Sequence, residues 1–161
     1  MRRFFVLILL MLTLAVPAHA ADLTERDREF LITAVASSYP EVGFGGRVGI
    51  CSVILSRMDD DRFPDTAASV TANFGDGCFT ESHAPDEKTL RLTRDALDAA
   101  LMGADPTGGA LYFTILDDGS PVYDLYFDNS GEKKRLYTME EFLRAHPAQS
   151  PVCIDGIGFR K

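Results

Sequence analysis

Apolar positions change rhythm along this chain, and each change marks an element. Phe4 to Val16 is an unbroken apolar run behind Arg2 and Arg3. Further on, Phe30, Leu31, Ala34 and Val35 recur at helical spacing. They predict a first helix capped by Thr24, with Asp27 three residues on, where an acid favours a helix start. Ser37-Ser38-Tyr39-Pro40 ends it, because Pro40 disfavours helical geometry at Tyr39. Val42 to Gly46 reads as a glycine-rich turn. From about Arg47 to Met58, Val48, Ile50, Cys51, Val53, Ile54 and Leu55 leave almost no polar face, so a second helix belongs at the centre of the core. Asp59-Asp60-Asp61 reads as a solvated loop; the ligand spacing of a calcium-binding EF-hand is absent. Pro64-Asp65-Thr66 opens a short helix to about Ala72, and Asn73 to His83 reads as loop.

The next helical stretch starts with Asp86 as N-cap and runs to Met102. Leu90, Leu92, Ala96, Leu97, Ala100 and Leu101 form its apolar face, and Gly103 is placed to end it. Glu87 with Arg91 and Arg94 with Asp98 are spaced as i, i+4 charge pairs. From Ala110 the rhythm becomes that of strands. Ala110–Leu116 and Val122–Phe127 flank Asp117-Asp118-Gly119-Ser120, which predicts a hairpin between them. Asp128–Lys134 reads as loop, Thr138–Glu141 as a capping box opening a short helix to His146, and Val152–Phe159 as a closing strand. Helices come first and strands after, which points to an α+β fold.

Composition changes this picture at the N-terminus. The basic pair, the apolar run and Ala18-His19-Ala20 together read as a cleaved signal peptide over residues 1–20, leaving a single domain over 21–161. The run is too short to span a bilayer, so no stable membrane span is expected after its removal, and the location should be periplasmic or secreted. Without Arg2 and Arg3 the chain has 14 basic against 24 acidic residues, a formal charge of −10. That charge argues against a nucleic-acid partner. Of Cys51, Cys78 and Cys153, the first lies in the most apolar helix and reads as buried and reduced. In an exported chain this leaves Cys78–Cys153 as a disulfide, closing a loop worth about 4.5 kcal/mol in the chain-entropy model.

Two blocks carry the candidate chemistry. Gly46-Arg-Val-Gly-Ile-Cys-Ser-Val-Ile-Leu-Ser-Arg57 is followed by Arg62-Phe63-Pro64, and further on stands Asp105-Pro-Thr-Gly-Gly-Ala-Leu-Tyr-Phe113. Together they resemble the SleB-like cell-wall hydrolases, the family of the spore cortex-lytic enzymes, over roughly Asp27 to Phe113 and the last eight residues. The resemblance implies a lysozyme-like core of three main helices, followed by a β-hairpin and a short C-terminal helix and strand. It implies peptidoglycan glycan strands as the target, with a cell-wall-associated protein as a second class of partner. No cofactor and no metal is called for.

Glycoside cleavage needs a carboxylic acid that stays protonated near neutral pH. The family carries a Glu at the end of its first helix, then a Gly-Gln-Val that opens the second. Laying Gly46-Arg47-Val48 on that motif puts Ser38 at the acid's position, and a serine hydroxyl cannot donate the proton. Glu41 is the nearest carboxylate and the residue that could take over as catalyst. The family's closing Ile-Gly-x-His-x-Phe also departs, with Ile157 where the His would stand. The resemblance further implies Ser38, Thr107, Gly108 and Tyr112 as substrate-binding positions. Asp76 and Glu81 are alternative acids, Phe113 is an alternative aromatic platform, and Ser52 and Ser56 have no histidine placed beside them. Three readings follow: an active enzyme using Glu41 or a loop acid, a non-catalytic wall-binding or protein-binding relative, and an exported disulfide-stapled domain of unrelated role.

Overall fold

Two local signals that set the helices act as the sequence suggests. Thr24 Oγ1 accepts from the Asp27 N–H (3.1 Å) and starts α1 (Glu25–Ser38). Asp86 accepts from the Thr89 N–H (2.6 Å) and starts α4 (Glu87–Leu101); this bond is the chief cause that holds the Asp86 carboxyl below its usual range. Gly103 adopts φ 92° just past α4, the left-handed geometry that closes helices. Between them lie α2 (Phe44–Met58) and α3 (Ala67–Ala72). The computed structural model describes residues 23–72, 79, 84–115, 122–128, 131–137, 144 and 152–161.

α2 is the axis of the core. Ile50, Cys51, Val53 and Ile54 are fully buried against Leu31 and Val35 of α1, Val70 of α3 and Leu97 of α4. Burial pushes the Cys51 thiol up to about 12, so it is neutral and unreactive at physiological pH. α1 and α4 are joined by an Arg28–Asp98 ion pair. Asp98 thus pairs across helices, where the spacing had predicted an Arg94 partner within α4.

Strand pairing departs from the expected hairpin. β1 (Tyr112–Ile115) does not pair with β2 (Val122–Asp128). It pairs antiparallel with β5 (Ile157–Arg160), Tyr112 opposite Arg160 and Ile115 opposite Ile157. β2 pairs instead with β3 (Gly131–Tyr137), Val122 opposite Tyr137 and Asp128 opposite Gly131. Much of the expected loop at Asp128–Lys134 is therefore strand. The charged run Glu132-Lys-Lys-Arg135 gives no apolar alternation, so backbone pairing alone reveals it. The single closing strand is in fact two, β4 (Val152–Ile154) and β5, joined at Asp155-Gly156 with φ 50° and 76°. Positive φ at both residues is the geometry of a tight hairpin turn, for which Asp-Gly is a favoured pair. The order of the three-stranded sheet is β1-β5-β4. The fold is α+β, as the order of elements predicted. The short helix expected after Thr138 lies outside the described residues.

The β4–β5 hairpin explains the glycines of α2. A Cβ at Gly43 would stand 2.7 Å from Asp155 Oδ2, and one at Gly49 only 2.5 Å from Phe159 Cζ. Gly43, the N-cap of α2, has no side chain to cap it. Asp155 does that work from 109 positions away, accepting from the Gly46 N–H (2.7 Å). Asp155→Ala should therefore lower stability by about 1–2 kcal/mol in urea unfolding. Asp155→Asn, which keeps an acceptor and tolerates positive φ, should lose clearly less. Equal losses would show that the cap is unimportant.

Candidate functional site

The turn from α1 into α2 carries the two residues on which the chemistry was expected to depend. Ser38 is the last residue of α1 and is half-buried; Ser37 beside it is buried. Glu41 lies in the turn itself and is exposed. Beneath the turn is Arg47, only 1% exposed. Its Nε donates to Val42 O (2.9 Å), one terminal nitrogen to Pro40 O (2.9 Å) and the other to Thr93 Oγ1 of α4 (2.7 Å). The guanidinium therefore grips the carbonyls on both sides of Glu41. It also places a positive charge near the C-terminal end of α1, whose last turn has no basic residue of its own. Its pKa is lowered, first by desolvation, while Cys51, Asp86 and Glu41 act in the opposite sense.

On the sheet side, the residue after Ser38 enters a cluster of aromatic rings. Tyr39 packs edge-on against Phe79 (5.5 Å between centroids) and Phe113 (5.8 Å), and Phe113 lies 6.0 Å from Phe79 and 6.3 Å from Phe159. Phe113 is thus a core ring rather than an open platform. Ile157, where the resemblance implies a His, is fully buried in the same core. The alternative acids Asp76 and Glu81 lie outside the described residues.

The Asp105–Gly109 segment builds its own turn. Asp105 Oδ1 accepts from the Thr107 N–H (2.9 Å) and hydroxyl (2.6 Å), and Oδ2 from the Gly109 N–H (2.6 Å). The Thr107 oxygen then accepts from the Ala110 N–H (3.1 Å). Thr107 is buried and its hydroxyl is committed to this turn. Gly108 and Gly109 are exposed at φ 69° and 82°, and a Cβ added at either would meet nothing within 4 Å. The glycines are there for backbone geometry and leave an open surface.

The remaining motif residues form a stack at the far end of α2. Arg57 is buried and donates from Nε to Leu111 O (2.6 Å). Its guanidinium lies 4.6 Å from the Phe63 ring centre and 4.8 Å from that of Tyr112, and the Arg160 guanidinium lies 5.7 Å from the Tyr112 ring centre. Arg62 adds to the outside of Phe63 at 5.8 Å and is held by Asp60 (2.6 and 2.8 Å). The Arg57, Phe63 and Tyr112 blocks, scattered in sequence, thus serve one packing unit that locks α2 to β1. The Arg62 contacts, side chain first and backbone next, pull the Asp60 carboxyl down to about 2. The folded form holds that proton less tightly than the unfolded chain. Any stability from the pair is therefore present at neutral pH and fades as the pH falls from about 4 towards 2. Arg62→Ala removes the side-chain bonds but keeps the Arg62 N–H bond to Asp60, so it should raise the Asp60 midpoint in an NMR titration part of the way towards the ordinary carboxylate range while barely moving the melting temperature at pH 7. An unmoved midpoint would exclude the pair as the cause.

These positions are strung along α2. The Ser38 turn is fixed at its start through Arg47. The Asp105 loop is tied near its middle by Ser52, whose hydroxyl reaches Val48 O (2.8 Å) and Ala104 O (3.0 Å). Tyr112 is held at its end by Arg57. From Gly46 to Arg57 the helix rises about 16 Å. Among the described residues, no group of three His, Cys, Asp or Glu could hold a metal ion, and no helix is long and apolar enough to cross a membrane.

A family model described as Cell Wall Hydrolase matches residues 42–135. The chain belongs to that family. A spore cortex-lytic enzyme of Halalkalibacterium halodurans is 31% identical over 99 residues, which are 58% of this chain but only 28% of that protein's length. Among solved structures, the catalytic domain of Bacillus cereus SleB superimposes with a TM-score of 0.57 at 22% identity, covering 88% of this chain and 94% of that one. The catalytic domain of a germination-specific lytic transglycosylase SleB from Bacillus anthracis gives 0.52 at 21% identity, over 88% of this chain and 98% of that one. At these identities the likeness is one of fold.

The Cell Wall Hydrolase match begins at Val42, just past Ser38 and Glu41, and continues beyond Phe113 through β2 into β3. It therefore takes in the α2 axis, the Arg57 stack and the Asp105 turn, but not the end of α1. Two residues of the site escape a reading of the sequence. Arg47 reads as one letter of a motif, and nothing in its spacing announces a buried cation. Asp155 could have been found from the Asp-Gly turn signal, although its role as a distant cap could not. Cys153 is exposed in β4, and Cys78 lies outside the described residues.

Proposed function

We propose that this chain is an exported peptidoglycan-binding member of the Cell Wall Hydrolase family in which glycan cleavage is reduced or lost. The observation that carries the reading is the α1–α2 turn. Ser38 stands at the expected acid position, half-buried and followed in sequence by the packed Tyr39 ring and by Pro40, whose carbonyl the buried Arg47 holds, while Glu41, the nearest acid in sequence, is exposed. A general acid for glycoside cleavage keeps its proton at neutral pH by sitting in a shielded, partly apolar place. An exposed turn residue lacks that shelter. Substrate engagement then falls to the exposed Gly108-Gly109 surface and the half-buried Tyr112 along α2. Residues 1–20 act as the signal peptide, and Cys78 pairs with Cys153 in the oxidising compartment, so that the denatured, unreduced protein titrates one thiol rather than three.

The test is pull-down of the purified protein on isolated sacculi, with mass spectrometry of any fragments released. The reading expects binding without release. Release of anhydro-muropeptides that Glu41→Gln abolishes would instead establish an active lytic transglycosylase, the activity that the Bacillus anthracis relative is named for. Neither binding nor release would exclude a wall target.

A further inference from the structure

Arg47 is the largest fully buried side chain among the described residues. Within the same set its hydrogen bonds go only to neutral oxygens, those of Pro40, Val42 and Thr93. The titratable groups around it are Cys51 one helical turn on along α2, Asp86 at the head of α4 and Glu41 in the turn. Cys51 is a neutral thiol. Asp86 and Glu41 are exposed, so water screens them. The guanidinium charge is therefore fixed, shielded from solvent and only partly offset.

Its position matters more than its size. One arm holds the Pro40 carbonyl, two residues from Ser38, a chain distance on the order of 7 Å. A unit charge so placed, in the effective dielectric of a protein surface, lowers a nearby carboxyl by about one pH unit or more. The proton of an acid is what glycoside cleavage uses, and a nearby cation removes it.

We infer that Arg47 is a positioning residue that sets both the shape and the charge of the α1–α2 turn, so that a proton-donating acid cannot operate at position 38 while Arg47 is present. The inference rests on the reading of Ser38 given above and extends it. The serine and the buried cation act as a pair, and restoring the acid alone does not restore the chemistry. A neutral amide at position 47 can still donate to one or two of the turn carbonyls while removing the charge. A lysine keeps the charge but not the three-armed grip.

The experiment compares Ser38→Glu, Arg47→Gln, the double variant S38E/R47Q and the double variant S38E/R47K. Each is checked for folding by circular dichroism and thermal melting. Fragment release from sacculi is then followed between pH 4 and 8. Ser38→Glu alone should release little at pH 7, and Arg47→Gln alone nothing. S38E/R47Q should release at least about tenfold more than Ser38→Glu at pH 7, with the alkaline limb of its profile about one pH unit higher. S38E/R47K should keep the low limb of Ser38→Glu even if it melts earlier, which separates charge from shape. Identical limbs in Ser38→Glu and S38E/R47Q would overturn the inference, as would folded double variants that bind sacculi and release nothing. Fragment release by the unaltered protein would instead overturn the reading of Ser38, a distinct outcome visible in the same assay.

Discussion

Gly49→Val is expected to destabilise the protein by about 3 kcal/mol or more and to lower its melting temperature by roughly 10 °C. An added Cβ would meet Phe159 at 2.5, 2.9 and 3.0 Å, which is inside contact distance for three ring atoms at once. The ring has nowhere to go. It is 1% exposed, sits beside Phe113 and Ile157 in the core and belongs to the central strand of the sheet. Relief must come from moving β5 or α2, and both carry much of the core. The cause can be isolated with Phe159→Leu, which makes room in front of Gly49. The paired substitutions should lose at least about 1 kcal/mol less than the sum of the two singles, measured by urea unfolding. Strict additivity would mean that the Gly49–Phe159 contact is not what excludes a side chain here.

Arg47→Met should cost about 2–4 kcal/mol, and two opposed effects decide the figure. Methionine fills similar space and removes a charge that is expensive to bury, which favours the variant. Against this, the carbonyls of Pro40 and Val42 lose their donors, at about 1–3 kcal/mol each where water cannot reach them. Thr93 suffers less, because its hydroxyl still donates to Thr89 O (2.8 Å). The loss of donors dominates because Arg47 is what ties the turn to α4. Arg47→Lys should fall between the two, since an ammonium can serve one or two of the three oxygens. A methionine variant as stable as the original protein in urea unfolding would show that the turn is held by packing alone.

What the sequence disclosed, and what it concealed, divides along the range of the interactions. Thr24, Asp86 and Gly103 act on backbone groups within a few positions, so their residue types announce the helix ends they make. The apolar stretch from Val48 to Leu55 had to be interior wherever its partners came from. The partner of β1 was hidden because Asp117–Ser120 is a valid local turn signal, while β5, the true neighbour, begins some 40 positions later. Nothing local distinguishes one from the other. The start of α2 at Phe44, before the expected Arg47, has the same origin: glycines that read as a turn become helical once Asp155 supplies the missing acceptor. At the site, a serine at the position where the resemblance implies an acid was readable as a letter. The burial of Arg47 under it was not, because a cation finding three oxygens is a property of the assembled chain.

The glycines of α2 also say when that helix can exist. Gly45, Gly46 and Gly49 each weaken an isolated helix by about 1 kcal/mol relative to alanine, and Val48, Ile50, Val53 and Ile54 are β-branched. On its own the segment has little reason to coil. Its native partners Asp155 and Phe159 stand more than a hundred positions away, so this helix should consolidate late, and early protection of α2 amides in pulsed hydrogen exchange during refolding would contradict that order. Refolding should then be slow and all-or-none, and any excursion that lifts the terminal hairpin bares the buried face of α2 to its neighbours, which makes self-association the natural failure of this molecule.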